Sequence, residues 1–369
     1  MELKRKLRRK ISSFARKYII KTDAWWYKVS IRFWKKELLK SHLKKESYGG
    51  ENPEITYMMI QKNMHTNSGV FEDYIMFMLA IDFALARGYV PVIDRLNYPG
   101  YIQQEEKDWY KKNAWEIYFE QPFYVGVEYV ENGAQNVVLC NTEITGDTLS
   151  IQQDRSLDFF RYLAIPRNET ENYFSDHFRF IANKYLRFNE YTRNYIAEKR
   201  KEVFGSQDTR DVMAISLREE MFYRGFVTGV DCRNIEEKIE LYKKKWGYKK
   251  LYIATEFDER IEKLQRIFGE ENIYHLKRKR AYNTNNIDVQ ACMKWNDYSL
   301  KGTKRVMEID RKIYGDKFEK WLNYVTEMYL VSVCDGALLQ VSSGNISATL
   351  MRKEPWHHVA ILQGNNIYE

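Results

Sequence analysis

Four short polar clusters each follow an apolar run of strand length, and each carries residue types able to hold an anion. They are Asn67-Ser68-Gly69, Arg218-Glu219-Glu220, Thr255-Glu256-Phe257-Asp258 and Ser342-Ser343-Gly344-Asn345. In a parallel α/β sheet, ligands gather beyond the carboxyl ends of the strands. The last cluster combines a glycine-containing turn with a helix start, whose free N–H groups and dipole favour phosphate. Ser342 and Ser343 offer two hydroxyls, and Asn345 can cap the helix; a Ser/Asn cap without a ligand explains the same residues. Arg218 directly follows VMAISL. A guanidinium there can grip a phosphate or carboxylate with two hydrogen bonds, or form a structural ion pair with Glu219, Glu220 or Asp258. Glu256 or Asp258 can accept from ribose hydroxyls or a base edge. Acids facing the helix dipole are the structural alternative.

Other chemistries lack their signatures. The sequence has no P-loop, GxSxG, HExxH or GxGxxG, and no Asp-x-Asp pair to hold a metal and a diphosphate together. Its six histidines show no ligand spacing, so His65, His357 and His358 read as solvated or capping groups, and no metal site is expected. Cys140, Cys232, Cys292 and Cys334 form no CxxC pair, which fits a reducing, cytosol-like compartment.

The elements that must position these clusters follow from patterning. A chain of 369 residues with 44% hydrophobic and 15% aromatic content supports packed cores and about two domains. One βαβ unit runs from a strand at Ile55–Ile60 through a helix at Phe71–Arg87, with Gly88 as its C-cap, to a strand at Tyr89–Ile93. Residues 131–205 read as mainly helical. The βαβ rhythm then restarts: strand Val212–Leu217, helix Ile235–Trp246, strand Lys250–Ala254, helix Phe257–Phe268, strand Ile273–Leu276, helix Phe318–Cys334, strand Ala337–Gln340 and a final helix. The expected class is α/β, with two Rossmann-like domains facing a cleft, over residues 49–205 and 206–369, behind a leader at 1–48. Gly49-Gly50 and Pro53 read as the linker after it.

The leader holds most of the positive charge. Residues 1–46 carry a net +12, whereas the whole chain is +8, so the body is mildly acidic. That distribution excludes a nucleic-acid enzyme with a basic groove on its fold. Leu3, Leu7, Ile11, Phe14, Tyr18 and Ile19 recur at helical spacing among the lysines and arginines, and Trp25, Trp26, Phe33 and Trp34 follow. A basic amphipathic helix with interfacial tryptophans suits an anionic membrane surface; a helix docked on the body is the alternative.

Several segments together carry a family resemblance: NSGVFEDYIMFMLAIDFALARGYVPVID, NAWEIYFEQP, VMAISLREE, KKLYIATEFDERIEKLQRIFGEENIYHLKRKR and YLVSVCDGALLQVSSGNISATLM. Over roughly residues 55 to 369 the chain resembles bacterial O-fucosyltransferase-like glycosyltransferases, surface-polysaccharide relatives of the α-1,6-fucosyltransferase and NodZ group. The resemblance implies a GT-B fold and inverting, metal-independent transfer from GDP-fucose without a cofactor. It also implies that Arg218 clamps the donor diphosphate, that Asp258 or Glu256 meets the guanosine, and that Ser342 and Ser343 lie at the phosphates. Asn67 and Gly69 would lie across the cleft, near donor sugar and acceptor. Two positions depart from the pattern: Glu219-Glu220-Met221 stands where relatives carry Gly-Thr-Asp or Arg-Thr-Asp, and Val341 stands where they often carry Arg. The expected activity is transfer to a surface-glycan or lipid-linked acceptor at the cytoplasmic membrane face, with Glu219, Glu220 or Asp73 as base. A non-catalytic sugar-nucleotide-binding or scaffold subunit of a polysaccharide-assembly complex is the alternative.

Overall fold

The computed structural model describes residues 43–61, 69–96, 112–141, 159–165, 169–217, 234–280, 316–363 and 366–369. The basic leader up to residue 42, Asn67-Ser68 and Arg218-Glu219-Glu220 lie outside them.

The first sheet is built from β1 (Leu43–Glu46), β2 (Glu51–Gln61), β3 (Val90–Asp94) and β4 (Ala134–Asn141), in the order β1-β4-β2-β3. β2 runs parallel to both β3 and β4, and β1 closes one edge antiparallel to β4. The run Met58-Met59-Ile60 is wholly buried, as expected of a parallel strand covered on both faces. Helix α1 (Val70–Leu85) joins β2 to β3 and buries 13 of its 16 residues. A helix apolar almost all round belongs inside a protein, and α1 is indeed roofed by helices of the second half of the chain. After α1, Gly88 takes the left-handed φ of 70° that the turn into β3 requires. The short helix α2 (Val127–Glu131) leads into β4.

Two expectations are corrected here. Gly49-Gly50 form the turn between β1 and β2 rather than a linker, and Pro53 lies within β2. Pro53 is tolerated because the β2–β4 register shifts between Glu51 and Thr56, where a missing N–H breaks no regular ladder. The stretch read as mainly helical contains β4, whose mixed sequence AQNVVLCN gives a weak strand signal.

Helices α3 (Glu169–Tyr185) and α4 (Glu190–Phe204) lead to the second sheet. It comprises β5 (Val212–Ser216), α5 (Ile235–Trp246), β6 (Lys250–Ala254), α6 (Asp258–Phe268), β7 (Ile273–Tyr274), α7 (Lys317–Val333), β8 (Gly336–Gln340), α8 (Ser343–Met351), β9 (His358–Gln363) and β10 (Asn366–Tyr368). Strand order is β10-β9-β8-β5-β6-β7, parallel except for β10. The chain enters at the centre on β5, steps outward to β6 and β7, then returns by α7 to the other side of β5 for β8 and β9. The winding direction therefore reverses between β5 and β8. A doubly wound sheet opens a crevice at that reversal, beyond the carboxyl ends of the two strands.

One apolar core serves both sheets. It runs from Phe71, Phe77 and Trp115 to Val325, Leu339 and Ala348. Across it Ser347 of α8 donates to the Phe71 carbonyl at 3.4 Å, and Asn183 of α3 donates to the carbonyls of Leu350 and Arg352. Among the described residues no helix is long and apolar enough to cross a membrane. Cys140 and Cys334 are buried and unpaired, and burial pushes the Cys140 thiol up to about 12.

Glu120 fastens the loop after residue 117 to the α4 side, accepting from Arg187 Nε at 2.9 Å and Arg193 Nη1 at 2.5 Å. Burial alone would raise its pKa, but the hydrogen bonds from Arg193 and Arg187 outweigh burial and lower it. A lowered carboxylate adds stability above its unfolded value of about 4.3 and loses it as pH falls through the folded value. Glu120→Gln should cost about 1–2 kcal/mol in urea unfolding at pH 7. That difference from the wild-type chain should shrink steadily below pH 5.

Candidate functional site

Strand register brings two of the predicted clusters, those at 255–258 and 342–345, to one edge of the second sheet. Ser216 of β5 stands opposite Ala254 of β6 and Leu339 of β8. Leu217 N–H donates to the Ala254 carbonyl at 3.1 Å, so the pairing continues one step past β5. The chain beyond that line is Thr255-Glu256-Phe257-Asp258 from β6 and Val341 to Asn345 from β8. Arg218, next in the chain after Leu217, lies outside the described residues, as do Glu219 and Glu220.

The turn after β8 is organised by two side chains. Ser342, in extended conformation, is the N-cap of α8, its hydroxyl accepting from Asn345 N–H at 3.1 Å. Asn345 has a different task. Its side-chain amide donates to the carbonyls of Gln340 at 2.7 Å and Ser216 at 3.3 Å, tying β8 to β5 across the reversal point. With both N–H bonds spent on main chain, the amide oxygen of this 2%-exposed residue has no hydrogen-bond partner. The first N–H groups of α8, at Ser343 and Gly344, have no acceptor within the helix. The edge thus presents donors at the helix start beside an unsatisfied acceptor.

Both glycines of the turn clusters serve helix packing. A Cβ at Gly344 would lie 2.4 Å from the Tyr324 hydroxyl, and one at Gly69 would lie 3.3 Å from the Trp321 ring. Gly69 is the N-cap of α1, and Tyr324 also meets Phe71 edge-on at 5.0 Å. One turn of α7 therefore fills the space between the start of α1 and the start of α8. Asn67 and Ser68 lie outside the described residues.

At the end of β6 a buried charge cluster holds the backbone. Arg280 Nε and Arg278 Nη2 donate to the Thr255 carbonyl at 2.9 and 3.1 Å. Both guanidiniums also reach Glu327 of α7, each at 2.8 Å. Glu256 pairs with Arg278 at 3.3 Å, so its carboxylate is already engaged. Asp258 opens α6 with its side chain 43% exposed, 3.8 Å from Arg280, and is the accessible acid of the two. The Thr255 hydroxyl is buried with no partner. Burial, then Arg280, lower the pKa of neighbouring His275.

Arg278, Arg280 and Glu327 are absent from the sequence-based site. Two signals mark them: alternate arginines in the extended run Lys277-Arg278-Lys279-Arg280, which share a face, and one acid in the apolar helix VTEMYLVSV. Asp73 is placed differently from an acceptor-facing base. It is completely buried in the first turn of α1 and paired with Arg95, itself 1% exposed.

Two results are expected. Asp73→Ala leaves Arg95 buried without this partner and should lower stability by about 3–5 kcal/mol, measured by urea unfolding. Gly344→Ala should cost about 1–3 kcal/mol through its clash with Tyr324, and adding Tyr324→Phe should recover at least half of it. Equal losses with and without the Tyr324 hydroxyl would contradict the packing role given to this glycine.

No family model and no curated protein matches the chain. Similar solved structures include fucosyltransferase NodZ from Bradyrhizobium, at 12% identity and a TM-score of 0.47 over 85% of this chain and 98% of that one. Another is POFUT1 in complex with GDP-fucose, at 11% identity and a TM-score of 0.43 over 85% of this chain and 99% of that one. A third is Arabidopsis thaliana FUT1 in complex with GDP, at 9% identity and a TM-score of 0.43 over 97% of this chain and 78% of that one.

Proposed function

We propose that the chain is a glycosyltransferase that takes a sugar from a nucleotide-diphosphate donor, with GDP-fucose the donor, and binds that donor at the reversal point between β5 and β8. The observation that carries this reading is the edge itself. Three parallel strands end in register there, α8 begins there, and the Asn345 amide oxygen and Thr255 hydroxyl are buried without partners. A nucleotide supplies what these groups lack: ribose and base donors for the orphaned oxygens, and phosphate for the N–H groups of α8. Asp258 is the acid placed to meet the ribose or base. The choice of GDP-fucose rests on the resemblance of the sequence segments.

In the reaction, the acceptor hydroxyl attacks the anomeric carbon in line with the departing diphosphate. A carbon–oxygen bond to the acceptor forms as the bond to the diphosphate oxygen breaks, which inverts the anomeric centre. The hydroxyl proton passes to a carboxylate, Glu219 or Glu220, and the diphosphate leaves with the added negative charge. Near β6, Arg278 and Arg280 are both committed to Glu327 and the Thr255 carbonyl. The clamp on the leaving group is assigned to Arg218 on the sequence resemblance, together with the N–H groups at the start of α8. The first sheet forms the acceptor side, metal is not required, and the basic leader holds the enzyme on the cytoplasmic membrane face, where a lipid-linked acceptor lies.

Purified protein should be heated with GDP-, UDP-, ADP- and CMP-sugars, and donor turnover followed by release of the nucleotide. GDP-fucose should raise the melting temperature and be turned over. Arg218→Ala should cut turnover about 10²- to 10³-fold while the fold persists. Binding without turnover in the unaltered chain would favour the scaffold reading, which Glu219-Glu220 supports. No stabilisation by any of the four donors at millimolar concentration would overturn the proposal.

A further inference from the structure

The opposite edge of the same sheet carries a second cluster. β8 and β9 pair in parallel with Gly336 opposite His358, which puts Asp335 abreast of His357 just before the strands begin. His357 N–H donates to the Asp335 carbonyl at 3.3 Å, and its Nδ1 lies 3.1 Å from Asp335 Oδ2. The rings of His357 and His358 stack with centroids 4.2 Å apart. Tyr248, in the turn between α5 and β6, donates to Asp335 Oδ2 at 2.5 Å and lies 3.1 Å from His358 Nδ1. Gly336 makes this possible, because a Cβ there would sit 2.5 Å from the Tyr248 ring. The group faces a cavity of about 610 Å³ also lined by Arg210, Trp246 and Lys250. Those two cations are engaged elsewhere: Lys250 donates to the Glu271 carbonyl and Asn272, and Arg210 pairs with Asp208.

We propose that Asp335, His357 and His358 form a binding site for one divalent transition-metal ion, with Tyr248 as the outer group that orients the carboxylate and the His358 ring. One ligand atom from each of the three lies within 4.8 Å of the others. Tetrahedral zinc with bonds of 2.0–2.1 Å asks for ligand atoms about 3.3 Å apart. A modest rotation closes that gap, and His357 is free to make it because its side chain is 69% exposed. Two imidazoles and one carboxylate suit zinc, cobalt or nickel, and the open fourth position takes water. The ion would clip the start of β8 to the start of β9, on the edge remote from the donor site.

The test uses the full chain, stripped with a chelator and titrated with Zn²⁺ by calorimetry and with Co²⁺ by visible absorption. The expected result is one equivalent of Zn²⁺ bound at micromolar or tighter affinity, visible bands of four-coordinate Co²⁺, and a higher melting temperature with metal. His357→Gln should weaken binding at least tenfold while leaving the melting temperature of the metal-free protein unchanged. Tyr248→Phe should weaken it about tenfold through its effect on the ligands. Absence of saturable binding, or binding unchanged by His357→Gln, would overturn the site. GDP-fucose turnover measured on the same metal-free protein should be unaffected, so this proposal and the proposed transferase activity fail separately.

Discussion

The second half of the molecule depends on one side chain that does two things at a strand reversal. Where a doubly wound sheet changes direction, the loops after the two central strands leave toward opposite faces, and their terminal carbonyls face a gap. Asn345 closes that gap by donating to the last carbonyls of β5 and β8. An aspartate there could not donate, and an aliphatic residue would lose both of these hydrogen bonds. The residue that secures the reversal is left with a buried amide oxygen that has no hydrogen-bond partner.

Helix α7 transmits this arrangement to the rest of the fold. Trp321 and Tyr324 sit against Gly69 and Gly344, setting the start of α1 against the start of α8. About one turn after Tyr324, Glu327 pairs with both Arg278 and Arg280, whose other hydrogen bonds fix the carbonyl of Thr255 just after β6. Breaking that cluster from one side would leave an uncompensated buried charge, whose desolvation far exceeds a surface ion pair in importance. The helix returning the chain to the far side of the sheet is also the post on which both edges of the site are hung.

The regular elements were largely legible because burial writes itself into short runs. The sequence VMAIS is buried on every residue and could only be a central strand, and α1 is apolar around most of its circumference. Helix α5 spans Ile235–Trp246, as its spacing indicates. The interactions that give the site its character join residues far apart in sequence and were not legible. Asn345 reads as a cap until Ser216, 129 positions earlier, is placed beside it; the cap is in fact Ser342. Glu256 reads as a ribose ligand until Arg278 is placed on it, and Asp73 reads as a base until Arg95 covers it. Asp335 stands too far from His357 in sequence to suggest a ligand set, and parallel register alone brings them together.

The central claim is that a nucleotide-diphosphate sugar occupies the crevice between β5 and β8. Amide hydrogen exchange, read with and without saturating GDP-fucose, tests it most directly. The account predicts slowed exchange in three separate segments, residues 214–217, 254–258 and 342–346, with little change at 335–338 or 356–359 on the opposite edge. Protection confined to that opposite edge, or to the α4 surface, with none at the ends of β5, β6 and β8, would contradict it.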